Sequence, residues 1–585
     1  MRVAARAEDA SDRVEKTLAV LPDGEEVVQT DNRLLASPIS FDLTVPDEAM
    51  PGTVHSELKV YPDLISHAFD GIEGIVRRPY GCAEQTISSS YPNLIVLRAL
   101  QQSAPDSPAA REARNFLERG YRRLTRYQAA GGGFSYWGGK AEAALEVSVH
   151  AWKFLTDIQG WVDVDPKVLE STLKWLLEKQ QADGSWLKNA ALTGLMARSL
   201  SAGQKPQAVR QALQRAIRYL AGQAASQDDD PYLLASFVLA ALQNGLEKAH
   251  KPLVRQAASR LIETARSQQD QFYWPTRHQT PFRGWGRAGE IETTAVVARA
   301  LQLFSESRQF RDDPLAPEAF SKASGAVVFL LLSKDLYGVW HSTQATFAAL
   351  DTLSRFESPL RADEVKAGQK LTLEATVNGH RLKTELVAGQ GPPGPLWLDL
   401  SSNLVPGANR IRVESGPAMT GKLAHLVVRY RRKWPEIRQE AASNPHLYFR
   451  VHFDRDRLQL GEEVTCRVEI QRLAAASQRG SRRRLGMLLA EVGLPPGIQL
   501  NHASLKQEME RLGWVLGRYE VQPDRLVLYL WPHLRFRVEL SFRFRPRLAM
   551  RARSAPSQLY DYYNPDARLS LAPALFTVSA ETLGR

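Results

Sequence analysis

Two cysteines in 585 residues leave no disulfide framework to hold this chain together, so each thiol needs its own explanation. Long apolar runs are missing too: nothing approaches the ~20 residues of a membrane-spanning helix. The opening Met-Arg-Val-Ala-Ala-Arg-Ala-Glu-Asp has no continuous apolar stretch and no small-residue cleavage site, so it does not read as an export signal. There is no phosphate-binding loop and no metal-ligand cluster, and no cofactor or metal is expected. What is there is ordinary for a globular chain, 44% hydrophobic and 24% charged residues, at a length that predicts about three or four domains.

The net charge is +11, with basic clusters at 479–484 (RGSRRR) and within 534–545 (LRFRVELSFRFR). In the second, charged and apolar residues alternate, the pattern of a strand with one wet face, and no nucleic-acid motif accompanies either. Nucleic acid is therefore not an expected partner.

Residues 1–38 are polar around one apolar island and read as a linker or the remnant of a preceding module. Alternation in Phe41-Asp-Leu-Thr-Val45 and Glu57-Leu-Lys-Val-Tyr61 predicts strands in 39–62. From 63 to 356 apolar residues recur at three and four, as at Leu169, Leu173, Leu176 and Leu177 behind a capping Asp165-Pro166. Related loops punctuate these helices: Gly131-Gly-Gly-Phe-Ser-Tyr-Trp137, Asp183-Gly-Ser-Trp186, Asp270-Gln-Phe-Tyr-Trp274 and Tyr337-Gly-Val-Trp340. Such repeated hairpins bury their apolar faces only against one another, which predicts a solenoid or a closed ring. Strand patterns return in 357–432, with Asn378-Gly379 as a hairpin turn; 433–446 reads as a linker and 447–585 as a β-sandwich with a short helix at 504–512.

The chemistry concentrates in Arg78-Pro-Tyr-Gly-Cys-Ala-Glu-Gln85. Cys82 and Gln85, three apart on a first helical turn, share a face, and Gly81 permits a tight approach. A thiolate held against a carboxamide can expel ammonia and form an acyl–sulfur bond, helped by the high effective concentration of positioned groups. The thiol, with an ordinary pKa of about 8.5, then leaves readily when an amine, hydroxyl or water attacks the Gln85 acyl carbon. Such a bond must be kept dry and then exposed. A Cys-x-x-Gln tetrapeptide alone is also what a helix with a buried Cys and an exposed Gln shows. Cys466, in the alternating Glu463-Val-Thr-Cys-Arg-Val-Glu-Ile470, reads as a buried structural thiol.

Pro79, Tyr80, Gly81, Cys82, Ala83, Glu84 and Gln85, followed by Tyr91-Pro-Asn93, resemble the thioester segment of alpha-2-macroglobulins, complement thioester proteins and their bacterial relatives. The stretch 337–350 (YGVWHSTQATFAAL) resembles their Ser-Thr-Gln segment, and Tyr560-Asp-Tyr-Tyr-Asn-Pro565 the terminal strand of their receptor-binding domain. The resemblance implies a multidomain α plus β fold: an α/α-toroid thioester domain (63–356) inserted in a CUB-like β-sandwich (39–62 and 357–432), then a C-terminal macroglobulin-type β domain. It implies a Cys82–Gln85 thioester that captures proteases or other protein surfaces through lysine amines, acting once rather than as an enzyme. Endopeptidase inhibition would then belong to a complete assembly with the bait and N-terminal macroglobulin domains that this chain lacks.

Aromatic side chains shield the thioester in that family, and Tyr136, Trp137 and Tyr529 are the candidates here. Residues 187–200 contain no histidine of the kind that directs complement thioesters to hydroxyls, which favours direct attack by amines. His150 and His341 are read as structural, and Lys506 as a solvated lysine with no receptor assigned. Because abundant cytosolic thiols would exchange with the bond, an extracellular or periplasmic location is expected, with the export signal outside this chain. Two other readings stand beside this one: a terpenoid-cyclase-type toroid enzyme, suggested by Gln180-Gln-Ala-Asp-Gly-Ser-Trp186 and Asp228-Asp-Asp230, and an adhesive module whose thioester never forms.

Overall fold

A computed structural model gives the architecture. It describes residues 2–6, 11–15, 22–35, 38–62, 66–67, 70, 82–101, 105–139, 141–202, 205–226, 229–245, 247–268, 271–335, 339–356, 368–388, 394–435, 439–473, 486–531 and 537–580.

The first β unit is a sandwich of two four-stranded antiparallel sheets drawn from both sides of the helical region. One sheet orders Leu396–Asp399, His55–Tyr61, Leu423–Lys433 and Gly24–Leu34; the other orders Ile39–Val45, Gly407–Ser415, Lys370–Val377 and His380–Val387. Period-two burial along Ile39–Val45 and Lys370–Val377 sends Phe41, Leu43, Leu371, Leu373 and Val377 inward. Asn378 and Gly379 have φ of 49° and 90°, the left-handed pair that a two-residue hairpin requires. One expectation needs correction: residues 1–38 are not all linker, because Gly24–Leu34 pairs along its whole length with Leu423–Lys433. That strand is half-exposed and polar, so backbone hydrogen bonds rather than an apolar stripe carry it. Ala441–Ser443, within the expected linker 433–446, likewise joins the last sandwich.

Between the sandwich halves the described residues give eleven complete α-helices: α1 (Ala83–Leu100), α2 (Pro108–Leu124), α3 (Leu145–Asp157), α4 (Pro166–Glu178), α5 (Ala190–Leu200), α6 (Gln207–Ala225), α7 (Pro231–Gln243), α8 (Lys251–Glu263), α9 (Gly286–Glu306), α10 (Ala316–Leu332) and α11 (Thr343–Leu353). The odd-numbered helices form an inner ring in which each packs on the next and α11 returns to α1; the even-numbered ones form the outer layer. Inner α7 is buried from Pro231 through Ala241, as a helix enclosed on every side must be.

The loops that the sequence relates are built alike. The backbone N–H of Phe134, Trp186, Trp274 and Trp340 donates to Ser148, Thr193, Thr294 and Thr346 hydroxyls at 2.7, 3.1, 3.1 and 3.0 Å, tying each loop to the following inner helix. The indole N–H of Trp186, Trp274 and Trp340 reaches back to the carbonyl of Leu176, Leu261 or Leu330 near the end of the preceding outer helix. Gly132 and Gly184, at φ 98° and 90°, sit where a Cβ would strike the Ser171 and Arg215 carbonyls. Truncating one of these fully buried tryptophans to Ala costs about 3–5 kcal/mol.

The ring rests on the first sandwich through a buried ionic junction. Asp70 accepts Lys59 Nζ at 2.9 Å and the Tyr61 hydroxyl, while Lys334 Nζ lies 3.9 Å from Asp70 and over the Tyr61 ring. Asn32 donates to the Leu332 and Lys334 carbonyls and contacts His425; His67 stacks on Tyr61. Burial lowers Lys334 to about 8 and His425 to about 3, and lowers His67 as well.

The C-terminal sandwich packs two five-stranded sheets and a small three-stranded one around Phe449, Val451, Cys466, Leu528, Phe542 and Leu559. Helix α12 (His502–Leu512), capped by Asn501, lies on strand Val538–Pro546. On that strand's wet face Arg543 and Arg545 pair with Glu463, while 479–484 lies outside the described residues.

Candidate functional site

Cys82 occupies the N-cap of α1 in extended backbone, a position usually given to Ser, Thr, Asp or Asn. Its side chain faces the backbone N–H of Gln85, and its own N–H donates to Gln85 Oε1 at 2.9 Å. This reciprocal cap folds the Gln85 carboxamide back onto the Cys82 backbone, on the same turn as the sulfur. Cys82 is 0% exposed and Gln85 half-buried; burial, and then the neighbouring Glu84 charge, push the thiol far up. The Ala83 N–H donates to the Tyr136 carbonyl at 2.8 Å, which sets the first turn against the 131–137 loop. Pro79, Tyr80 and Gly81 lie outside the described residues.

Glu84 is fully buried. Its Oε1 accepts from Thr343 (2.7 Å), Gln344 (2.6 Å) and Ser88 (3.1 Å), and its Oε2 from the Tyr562 hydroxyl (3.3 Å). One carboxylate therefore joins α1, the ring-closing α11 and the C-terminal sandwich. Burial pushes Glu84 up and these donors pull it down.

Tyr562 and Tyr563 form the two-residue tip of a hairpin between Ser557–Asp561 and Asn564–Leu571, closed by the Asp561–Asn564 pair. Buried Asp561 pairs with Arg472, accepts the Tyr563 and Asn564 N–H groups at 2.9 and 3.2 Å, and receives the Trp285 indole N–H of the ring at 3.1 Å. The tip is thereby driven into a cluster with Phe282, Met487, Leu489, Val527 and Tyr529. Trp137 meets Tyr529 edge to face at 4.8 Å, and Tyr136 meets Trp531 at 5.7 Å.

All three aromatic candidates thus lie at the contact between ring and sandwich on the Cys82 side. Sequence reasoning placed Tyr562 and Tyr563 in a terminal strand rather than at this hairpin tip, and it missed the bonds of Glu84. The signal for the tyrosines was their adjacency, which breaks strand alternation at a position where both side chains are buried.

His150 is buried 3.5 Å from Ser88 and 3.4 Å from Gln344, packed on Tyr91, Phe282 and Phe347, and burial lowers it to about 3, leaving it neutral. His341 contacts Asp566 at 3.1 Å across the interface. Of the acidic triplet, Asp228 is outside the described residues, Asp229 pairs with Arg260 at 2.6 Å and Asp230 caps α7, so both described acids serve helix ends. Lys506 is exposed on α12. Among the described residues no group of His, Cys, Asp and Glu could hold a metal, and no helix is long and apolar enough to cross a membrane.

A helical ring set into one β-sandwich and covered by another is the fold of the C-terminal portion of bacterial alpha-2-macroglobulins. The Escherichia coli protein, spanning domain MG7 to the C-terminus, superposes with a TM-score of 0.63 over 94% of this chain and 82% of that one at 16% identity. Salmonella alpha-2-macroglobulin reacted with methylamine gives 0.65 over 98% of this chain and 35% of that one at 17% identity. The family model of the A-macroglobulin TED domain matches residues 58–356, just over half of the sequence, and that of the A-macroglobulin receptor binding domain matches 483–571. The chain belongs to the alpha-macroglobulin family. Among curated relatives it is similar to thioester-containing protein 1 of Anopheles gambiae: allele S1 is 24% identical over 380 residues and allele R1 24% over 381. These matches cover 60% of this chain and 26% of each relative, so the aligned portion is about a quarter of their length.

Proposed function

We propose that Cys82 and Gln85 form an internal thioester through which the protein captures amines of target proteins. The Cys82 thiolate attacks the Gln85 carboxamide carbon, the C–N bond breaks and ammonia leaves. A lysine amine later attacks the same carbon; the C–S bond breaks, an amide forms, and the proton lost by the amine passes to the Cys82 sulfur.

The observation that carries this reading is the reciprocal cap. The Cys82 N–H at 2.9 Å from Gln85 Oε1 polarises the carbonyl and is placed to bind the oxyanion of either tetrahedral intermediate, in a site where the sulfur has no exposure. Tyr136, Trp137 and Tyr529, joined by Tyr562 and Tyr563, act as the shield that excludes water until the C-terminal sandwich moves. The capture is single-use, not enzymatic turnover. Inhibition of an endopeptidase is a property of the full-length assembly, with the protease tethered through its lysines. An extracellular or periplasmic setting keeps the bond from thiol exchange. For the cyclase reading no observation speaks, since Asp229 and Asp230 are engaged at helix ends.

Intact-mass analysis tests the proposal. Untreated protein is expected to weigh one ammonia less than its sequence, Cys82→Ala to show no such loss, and methylamine to add covalently while freeing one thiol. A full sequence mass with Cys82 open to alkylation in fresh protein would leave the adhesive-module reading in its place.

A further inference from the structure

Glu84 has no part in bond formation or cleavage as written above, yet a buried carboxylate with four hydrogen bonds from three separate elements is costly to keep unless it does something. We propose that Glu84 makes the reactivity of the Cys82–Gln85 bond depend on the seating of the C-terminal sandwich: its carboxylate ties the first turn of α1 to α11 and to the hairpin tip, and its negative charge beside the sulfur opposes departure of the Cys82 thiolate. This inference rests on the thioester reading.

The geometry separates two effects. Thr343, Gln344 and Ser88 hold Oε1 within the ring, whereas Oε2 is held by the Tyr562 hydroxyl from the other domain. While the hairpin tip is seated, the charge is fixed two residues along the same helical turn from the leaving sulfur and shielded from water, where it acts most strongly. When the tip leaves, Oε2 loses its donor and meets solvent, which screens that charge or supplies a proton. Exposure of the acyl carbon and release of the leaving group then occur in one movement. Glu84 is a positioning residue in this scheme, since the nucleophile touches Gln85 and the departing atom is the sulfur of Cys82.

The ionisable groups facing Glu84 are Cys82 on its own turn, Glu292 of α9, and Tyr562 and Tyr563 of the hairpin tip; His150 of α3 lies beside its partners Ser88 and Gln344. Both tyrosines are raised well above their ordinary value by burial and His150 is lowered to about 3, so these three stay neutral near pH 7. Glu292, raised to about 7 by burial, titrates in that range and needs its own control.

The test follows thiol release from the full chain on adding methylamine, corrected for the free-amine fraction, across the acid-to-neutral range. Glu84→Gln keeps the oxygen acceptor and removes the charge. It is expected to react about tenfold faster than wild type near neutrality, the effect of one nearby unit charge on partial charge development at sulfur. Wild type, and Glu292→Gln with it, should speed up as falling pH neutralises Glu84, while Glu84→Gln should show no such rise. Tyr562→Phe, which removes the Oε2 tether together with the hydroxyl's bond to Thr343, should react about two- to threefold faster than wild type and add nothing in the Glu84→Gln background. Wild-type rates in Glu84→Gln, or an acid acceleration that survives in it, overturn the proposal. If Glu84→Gln does not accumulate the bond, Tyr562→Phe decides: a rate equal to wild type at every pH overturns it. Failure of the thioester reading itself is distinct, since wild type would then show neither the missing ammonia nor methylamine addition.

Discussion

The ring meets its two neighbours through interfaces dominated by different contacts. Against the C-terminal sandwich it presents aromatic edges, with Trp137 on Tyr529 and Tyr136 on Trp531 around the tyrosine tip. Against the first sandwich it presents charge, with Asp70 between Lys59 and Lys334 and two neutral histidines alongside. Aromatic packing tolerates small displacements and excludes water, which suits the removable cover that the proposed thioester needs. A buried ion cluster is unforgiving of displacement, because each charge is costly once its partner moves, which suits a joint that fixes register. Under the thioester reading proposed above, the contact that tolerates displacement lies over the Cys82 turn and the register-fixing kind at the stem.

The largest break in that contrast is expected from Asp70→Ala. It leaves Lys59 and the fully buried Lys334 facing each other without their carboxylate, at a cost of about 3–5 kcal/mol in the unfolding free energy measured by denaturant titration. Unchanged stability would mean that the junction is not load-sharing and the contrast fails.

The next effect is spread over several pH units. His425 in the folded state lies near 3 against an unfolded value of about 6.5, so the unfolded chain binds the extra proton between those limits. Stability is therefore full above about pH 6.5 and falls as pH drops toward 3, by up to about 1.4 kcal/mol per pH unit for each such histidine. Replacing His425 with Gln is expected to flatten the acid limb of stability against pH; an identical limb would show that acid acts elsewhere.

The smallest effect belongs to the aromatic side. Arg518 stacks over Trp137 at 5.1 Å and pairs with Glu520 at the rim, and Arg518→Met should cost only about 0.5–1 kcal/mol in the same titration. A loss as large as that of Asp70→Ala would erase the distinction between the two interfaces.

Much of the architecture is legible in the chain because it is written in local rules. The spacing of Leu169, Leu173, Leu176 and Leu177 behind Asp165-Pro166 marks α4 and its cap, and the related Gly/aromatic loops mark equivalent joints of one ring. Asn378-Gly379 marks its hairpin for the same reason. The turn at Cys82 is legible as a place where sulfur and carboxamide share a face. What is not legible depends on partners far away in sequence. Gly24–Leu34 lacks an apolar stripe and becomes a strand because Leu423–Lys433 offers it a full ladder. Glu84 is legible as part of the motif but has no role until Tyr562, 478 positions later, reaches it. Asp70 sits in a segment whose local pattern gives no hint of two lysines converging on it.

The return of α11 to α1 has a geometric consequence. A chain that completes a circle leaves it close to where it came in, so the helical unit sits as a single insertion between the strand ending at Tyr61 and the strand beginning at Lys370. An insertion that begins and ends in one place leaves the ladders of its host unbroken, so a whole helical unit can be carried between two strands of a sandwich without loss of their register.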